Sequence, residues 1–531
     1  MNRNAVPPGD FSPTVRRAAA HRTRPGPTVP DPVSTGPMAA VPAISRSTAT
    51  SPLPTSPLPT GTRATGPLAA GATVAAPAPA GAGTAERAKD GWTLRKRLRQ
   101  TRGVRLRGAL RGAVPLALAG LLANVANMGV TLIIARAMST RSYGAVAQLI
   151  AIFFVVSMPG SALLVGVVRR ITTWQHNGRL HLLAEWVDRV RRVGVATVLV
   201  VAVLAIIGRG YVARELSLPG PGGVAEIITA GAAWCLLCVD RGLLQCARQY
   251  RALATNLLVD AVVKTVFTIG LVLVGLDESG AAIGVLLGVL AALAHVRWTL
   301  HRNPAAMGRD RAAAAPTAGT DSPAPPDAAP ARLAVEVGAA LVALALLGLL
   351  QNVDMLLQGR LAPDRSGSYA AVSVPSKVIV LAAVVLAGFL LPEAADRRHL
   401  GQHALHQLGA TIAILLVPAA GLLSAALIAP DKLLSLAFGP RFTDASGALL
   451  PLAAAMTCLG ATVLFTHYLL ALGERGVLLA LALTAAAAVP LLLWADGSPT
   501  ATARVDLACQ ATLAVVTGLS VLAAARRTAR A

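Results

Sequence analysis

Charge is the first thing this chain is short of. Asp, Glu, Lys and Arg make up 14% of its 531 residues, against about a quarter in a soluble globular chain, which excludes a water-soluble protein. Acid is scarcer than base: 25 acidic residues stand against 48 basic ones, a formal net charge of +23. Such an excess suggests nucleic acid, but aromatics are also scarce, at 4%. The basic residues are not gathered on a soluble domain with aromatics between them, so nucleic acid is not expected as a partner. Only five cysteines occur, all within or beside apolar runs, which excludes an extracellular disulfide framework. Cys235 and Cys238 form a CxxC, but no second Cys or His pair is near enough in sequence to complete a tetrahedral metal site.

What is abundant is apolar. The hydrophobic fraction is 54% and the mean hydropathy +0.61. Runs without any charge, such as 193–207 and 281–296, recur after residue 110 and approach the roughly 20 residues a bilayer demands. About twelve spans are expected, among them 112–135, 144–168, 193–208, 253–274, 280–297, 333–358 and 368–391. The fold class expected is an all-α polytopic membrane protein.

The order of parts follows from composition. Residues 1–92 are rich in Pro, Ala, Thr, Ser and Gly, including SPLPTSPLPT, and lack an apolar period, so a disordered tail is expected. Residues 93–111 carry a dense run of arginine that suits anionic membrane lipid. Six spans in 112–301, a linker over 302–331 and six spans in 332–531 complete the chain. Connections rich in arginine, such as those with Arg169, Arg170, Arg191 and Arg192, alternate with poorer ones, which predicts both termini on the cytoplasmic side of the cell membrane. Within the connection between the second and third spans, Leu180, Leu183, Val187 and Val190 fit a helix lying in the interface.

Two stretches echo each other. ARAMSTRSYGAVAQ at 135–148 matches GRLAPDRSGSYAAVS at 359–373, pairing Arg136 with Arg360 and Tyr143 with Tyr369 at an offset of about 225 residues. Other landmarks hold the same offset. Six spans per half, an even number, predict two pseudo-symmetric lobes related by an axis along the membrane normal. The echoing stretches become hairpins facing each other across one mouth, with Gly144 opening the next helix.

The segments 124–170, NVDMLLQGRLAPDRSGSYAAVS at 352–373 and LLSLAFGPRFTDASGALLPLAAAM at 433–456 resemble the polysaccharide flippases of the multidrug/oligosaccharidyl-lipid/polysaccharide exporter superfamily. The resemblance covers about 110–525. It implies a V-shaped transporter that carries a polyprenyl-pyrophosphate-linked oligosaccharide to the outer leaflet by alternating access. Spans one, two, seven and eight would line the cavity. The lipid-linked oligosaccharide is then the ligand, with polysaccharide assembly enzymes as candidate partners.

Charge inside a span costs about 2.5–3.5 kcal/mol even on a lenient scale, so each instance asks for a reason. Lys377 lies roughly 14 Å into its span and has no acidic neighbour within a turn, which suits a pyrophosphate contact. Lys264, roughly 17 Å deep, either contacts substrate or pairs with Asp260 one turn earlier. Arg241 either meets the head group or snorkels to the interface. Asn124 and Asn127 on the first span, with Gln351 and Asn352 on the seventh, suit sugar hydroxyls or helix-to-helix bonds. Gln351, Asp354 and Gln358 form a stripe expected to face the cavity. Asp354 and Asp260 are the candidates for a coupling proton or sodium ion; Asp354 alternatively pairs with Arg360. No cofactor and no catalytic residue is expected.

Four other readings compete. A multidrug exporter of the same superfamily would want acids at mid-membrane. A membrane-embedded polysaccharide assembly enzyme would want clustered carboxylates, and ATP hydrolysis a Walker A pattern, which the sequence lacks. A major-facilitator transporter also has twelve spans and parallel repeats, but its usual short turn between spans two and three is replaced here by HNGRLHLLAEWVDRVRR. A scaffold working through its tail is the fourth.

Overall fold

The computed structural model describes residues 115–116, 118–176, 179–302, 329–399 and 405–530. The tail at 1–92, the basic segment at 93–111 and most of the linker at 302–331 lie outside the described residues. Every described regular element is helical, as a chain with so few polar side chains requires in lipid, where each backbone N–H and C=O must be satisfied internally.

The first span is α1 (Leu118–Ala137). The second is made of α2 (Thr140–Ser157) and α3 (Pro159–His176), broken at Met158, where Pro159 supplies no N–H to continue the ladder. Then follow α4 (Leu183–Glu215), α5 (Val224–Cys246), α6 (Tyr250–Leu271) and α7 (Asp277–Arg302). The second half contains α8 (Ala329–Leu361), α9 (Pro363–His399), α10 (Leu405–Ile428), the short α11 (Pro430–Ala437), α12 (Leu449–Leu472), α13 (Gly476–Trp494) and α14 (Pro499–Arg530). Proline opens α9, α11 and α14, where its missing N–H is an orphan in any case.

Eleven helices among the described residues are long and apolar enough to cross a membrane. One of them, Tyr250–Arg302, covers two expected spans. It turns back where Gly275 takes φ +93°. Gly280, Gly284 and Gly288 then approach Leu271, Thr268 and Lys264 in turn, the falling register of an antiparallel hairpin. With that leg counted twice, the twelve expected crossings are present.

The halves repeat one packing plan. α5 packs on the second span, α4 and α7, with α6 against α7, and α12 packs likewise on α9, α10 and α14, with α13 against α14 and α8. The large apolar cluster runs across both halves through Val130, Ile134, Tyr143 and Val146 to Leu350, Tyr369 and Phe442. A separate cluster of Val167, Leu183, Val187, Leu237 and Val296 serves only the arginine-rich end of the first half.

Two local expectations are corrected. The interfacial helix is not a separate element, because its residues from Leu183 onward continue into α4, a single helix of 33 residues and about 50 Å. Trp186 on α4 and Trp174 on α3 meet edge to face at 5.5 Å. Gly144 does not open α2 either. Ser139 is the N-cap, its Oγ accepting from the Ser142 N–H at 3.1 Å, and Gly144 sits a turn inside.

Candidate functional site

A buried polar cluster sits within the second half, on the faces of α8, α9 and α14. Asp354 on α8 is wholly buried and accepts a hydrogen bond from Tyr369 Oη at 2.9 Å. Lys377 on α9 lies 3.7 Å from its other oxygen and donates to Asn352 Oδ1 at 3.2 Å. Asn352 is fixed in turn, donating to the Gly348 carbonyl at 2.8 Å. On α14, Gln510 donates to Asp506 at 3.1 Å and to the Leu350 carbonyl at 3.2 Å, one turn before Asp354. That bridge ties a second buried carboxylate, Asp506, to the helix that carries Asp354. Asp354 Oδ1, Asp506 Oδ2 and Gln510 Oε1 are buried without a hydrogen-bond donor. Oxygen atoms left over in a dry site favour a proton or a small hard cation.

The first half buries charge with the opposite balance. Asp240 on α5 is fully buried and takes Arg191 of α4 at 2.8 Å and Arg297 of α7 at 3.4 Å. Arg241 donates to Asn256 Oδ1 at 2.8 Å, pairs with Asp260 at 3.4 Å and stacks 4.7 Å over Trp234. Asn256 itself donates to the Ala292 carbonyl at 2.7 Å.

At the end of the bundle bearing the two echoing stretches, the halves lock together. Tyr143 packs against Phe442 and Phe438, with ring centroids 5.5 and 6.3 Å away. Arg441 donates to the carbonyls of Ala135 and Arg136 at 2.7 and 2.9 Å. Arg136 reaches the Leu436 carbonyl at 2.7 Å, and Ser217 the Arg360 carbonyl at 3.1 Å. These acceptors are the orphan carbonyls at the ends of α1, α11 and α8, where the helix dipole is negative. Gln148 bridges Leu216 and Leu356, and Arg360 pairs with Glu215 at 3.2 Å. Gly144 makes the close approach possible: a Cβ there would fall on Ser366 Oγ and within 2.7 Å of the Gly367 nitrogen.

The sequence-expected residues are therefore dispersed. Lys377, Asn352 and Asp354 come together, and Gln351 is half-buried beside them on α8. Asp354 does not pair with Arg360, which goes to Glu215. The stripe differs from an open cavity wall: Asp354 and Gln358 are 0% exposed, and Gln358 binds Gly497 and Thr502 at 2.7 and 2.8 Å. Arg241 is buried and does not snorkel. Asp260 takes Arg241, and Lys264 is half-buried against Gly288 in the α6–α7 hairpin. Asn124 is exposed and Asn127 half-buried on α1. No cluster of metal-ligating side chains occurs among the described residues.

No family model matches the chain, and no curated protein does. Solved structures do. An inward-facing multidrug resistance MATE family transporter of the MOP superfamily matches with TM-score 0.60 and 11% identity, over 79% of this chain and 98% of that one. A MOP superfamily transporter from Pyrococcus furiosus, described as having a binding pocket of reverse polarity, matches with TM-score 0.55 and 12% identity over 79% and 95%. The lipid II flippase MurJ, in an inward closed conformation, matches with TM-score 0.53 and 10% identity over 77% and 87%. This multi-pass membrane protein thus shares its fold with these solved transporters.

Proposed function

We propose that this chain is a transporter that moves a polyprenyl-pyrophosphate-linked oligosaccharide from the cytoplasmic to the outer leaflet of the cell membrane. In that orientation the arginine-rich end and both termini face the cytoplasm, and the locked end faces out. The observation that carries the reading is Lys377, a cation deep in its span held by an amide at 3.2 Å and a carboxylate at the slack distance of 3.7 Å. A diphosphate offers that ammonium shorter, charge-assisted bonds. Once Lys377 turns to the head group, Asp354 loses its counter-charge beside Asp506 and takes up a proton or sodium ion. Head group and coupling ion are thus taken up together at one ion pair, each favouring the binding of the other.

A second reading has its own support. Two buried carboxylates around one lysine also suit a cationic drug. Proteoliposomes holding only this protein separate the two: labelled lipid-linked oligosaccharide should change leaflet, and Lys377→Ala should stop it while the protein stays folded. Export of a cationic dye that survives Lys377→Ala but is lost in Asp354→Asn would favour the drug reading. In cells, deletion should leave a lipid-linked intermediate on the cytoplasmic leaflet.

A further inference from the structure

We infer that the arginine-rich end of the first half carries a binding site for a lipid-borne phosphate, on the outside of the bundle between α4 and α7. A cavity of about 740 Å³ opens there, with Arg191, Arg192, Arg297 and His301 in its wall and Asp188 as the acid beside them. Behind the wall is the wholly buried Asp240, whose two oxygens are taken by Arg191 and Arg297 separately. One carboxylate cannot neutralise two guanidiniums, and both retain donors. Arg297 Nη2 is buried without a hydrogen-bond acceptor, and Arg191 Nη2, although 2.8 Å from Asp240, is off the line of a hydrogen bond. Arg192 stands exposed at the rim, leaning on the Asp188 carbonyl at 3.4 Å. Guanidiniums in this state bind phosphate oxygens in pairs.

The rest of the wall says what the phosphate is attached to. Past the arginines, Val195, Ala196 and Leu199 line the cavity, and the same helix continues as an exposed apolar surface through Val203 and Ile207. The membrane window of α4 is only 6% buried inside the protein, so its exposed face is open to an acyl or polyprenyl chain. On α7, Trp298 is 53% exposed and Arg302 stacks 3.9 Å over it. Tryptophan at that exposure marks head-group depth, and basic pockets between helices at that depth hold anionic lipid. A free phosphate would use the arginines and leave the apolar track idle. The ligand class is a phosphate ester on a hydrocarbon chain, supplied by an anionic phospholipid or by a polyprenyl diphosphate. This site does not depend on Lys377 or on what crosses the membrane.

The test uses the purified full-length protein in detergent, with bound lipid counted by native mass spectrometry. The probes are phosphatidylglycerol, phosphatidylcholine and a polyprenyl diphosphate. At least one anionic lipid should bind about tenfold more tightly than phosphatidylcholine. The double variant Arg192→Gln, His301→Gln leaves Asp240 and its two partners in place, and it should lose most of that preference. Tighter binding of phosphatidylglycerol identifies a resident phospholipid; tighter binding of the diphosphate identifies a waiting place for a lipid precursor. Equal binding of all three lipids, or unchanged preference in the double variant, overturns the inference. Preference that persists in a protein unable to flip lipid-linked sugar would overturn the transport reading and leave this site standing.

Discussion

Two buried charge clusters, one in each half, show how similar helix packing serves different ends. Around Asp240 two guanidiniums close on one carboxylate; around Asp354 and Asp506 there is one ammonium, Lys377. The first arrangement ties three helices of one half together and has no acid to spare. The second has acid in excess and a loosely held lysine, the arrangement that the proposed binding of a head group and an ion would use. Burying an ion pair adds little stability by itself, but removing one partner of it is costly. The comparison thus separates a fixed cluster from an exchangeable one.

The largest effect is expected where the fixed cluster is broken. Asp240→Ala leaves Arg191 and Arg297 facing each other without the buried carboxylate they share, a loss of about 3–5 kcal/mol that should appear as a much lower thermal midpoint or loss of folded protein. Asp354→Asn, judged by the same measurement, should cost far less and act on transport instead. Equal destabilisation by the two would end the distinction. Next come the paired tyrosines. Tyr369→Phe removes a donor to a buried carboxylate and should cost about 1.5–3 kcal/mol. Tyr143→Phe should be neutral or slightly stabilising, because the Tyr143 hydroxyl is buried with no hydrogen-bond partner. A large loss from Tyr143→Phe would show that the two positions are used alike.

Gly144→Val addresses the lock between halves. Overpacking of this kind costs about 1–3 kcal/mol, and here it falls on the locked state alone. Spin labels at the ends of α2 and α9 should report a longer distance in the variant; an unchanged distance would mean the approach of Gly144 to Gly367 does not limit closure. The smallest effect belongs to Glu215→Gln. Its partner Arg360 is half-exposed, as is Glu215 itself, and such pairs contribute under about 1 kcal/mol. A thermal shift of several degrees would place that pair in the lock proper.

The helices and their number were legible in the sequence because lipid leaves a chain few options: long apolar runs must be helices, and arginine marks their ends. The site was only half legible. Lys377 stood out through its depth, but its partner Asp354 lies on another helix, and no periodicity within one span reveals which helices will meet. Arg241 read as a snorkelling residue because sequence gives no sign that Asn256 and Asp260 will turn toward it. Asp506 and Gln510 went unnoticed although a signal was there, an acid and an amide spaced i, i+4 in the last span. Arg441 sits in a stretch already singled out, yet its acceptors are backbone atoms some 300 residues earlier. Those atoms carry no letter in the sequence.

That last point has a consequence for how the lock tolerates change. Its donors are side chains, Arg441, Arg136, Ser217 and Gln148, while its acceptors are main-chain oxygens. Replacing an exposed residue that supplies an acceptor, such as Leu436, leaves the oxygen in place. A saturation scan should therefore score these contacts on one side only, with sensitive donors opposite permissive positions. Two lobes joined in this way can diverge in sequence on the accepting faces without coming apart at the mouth.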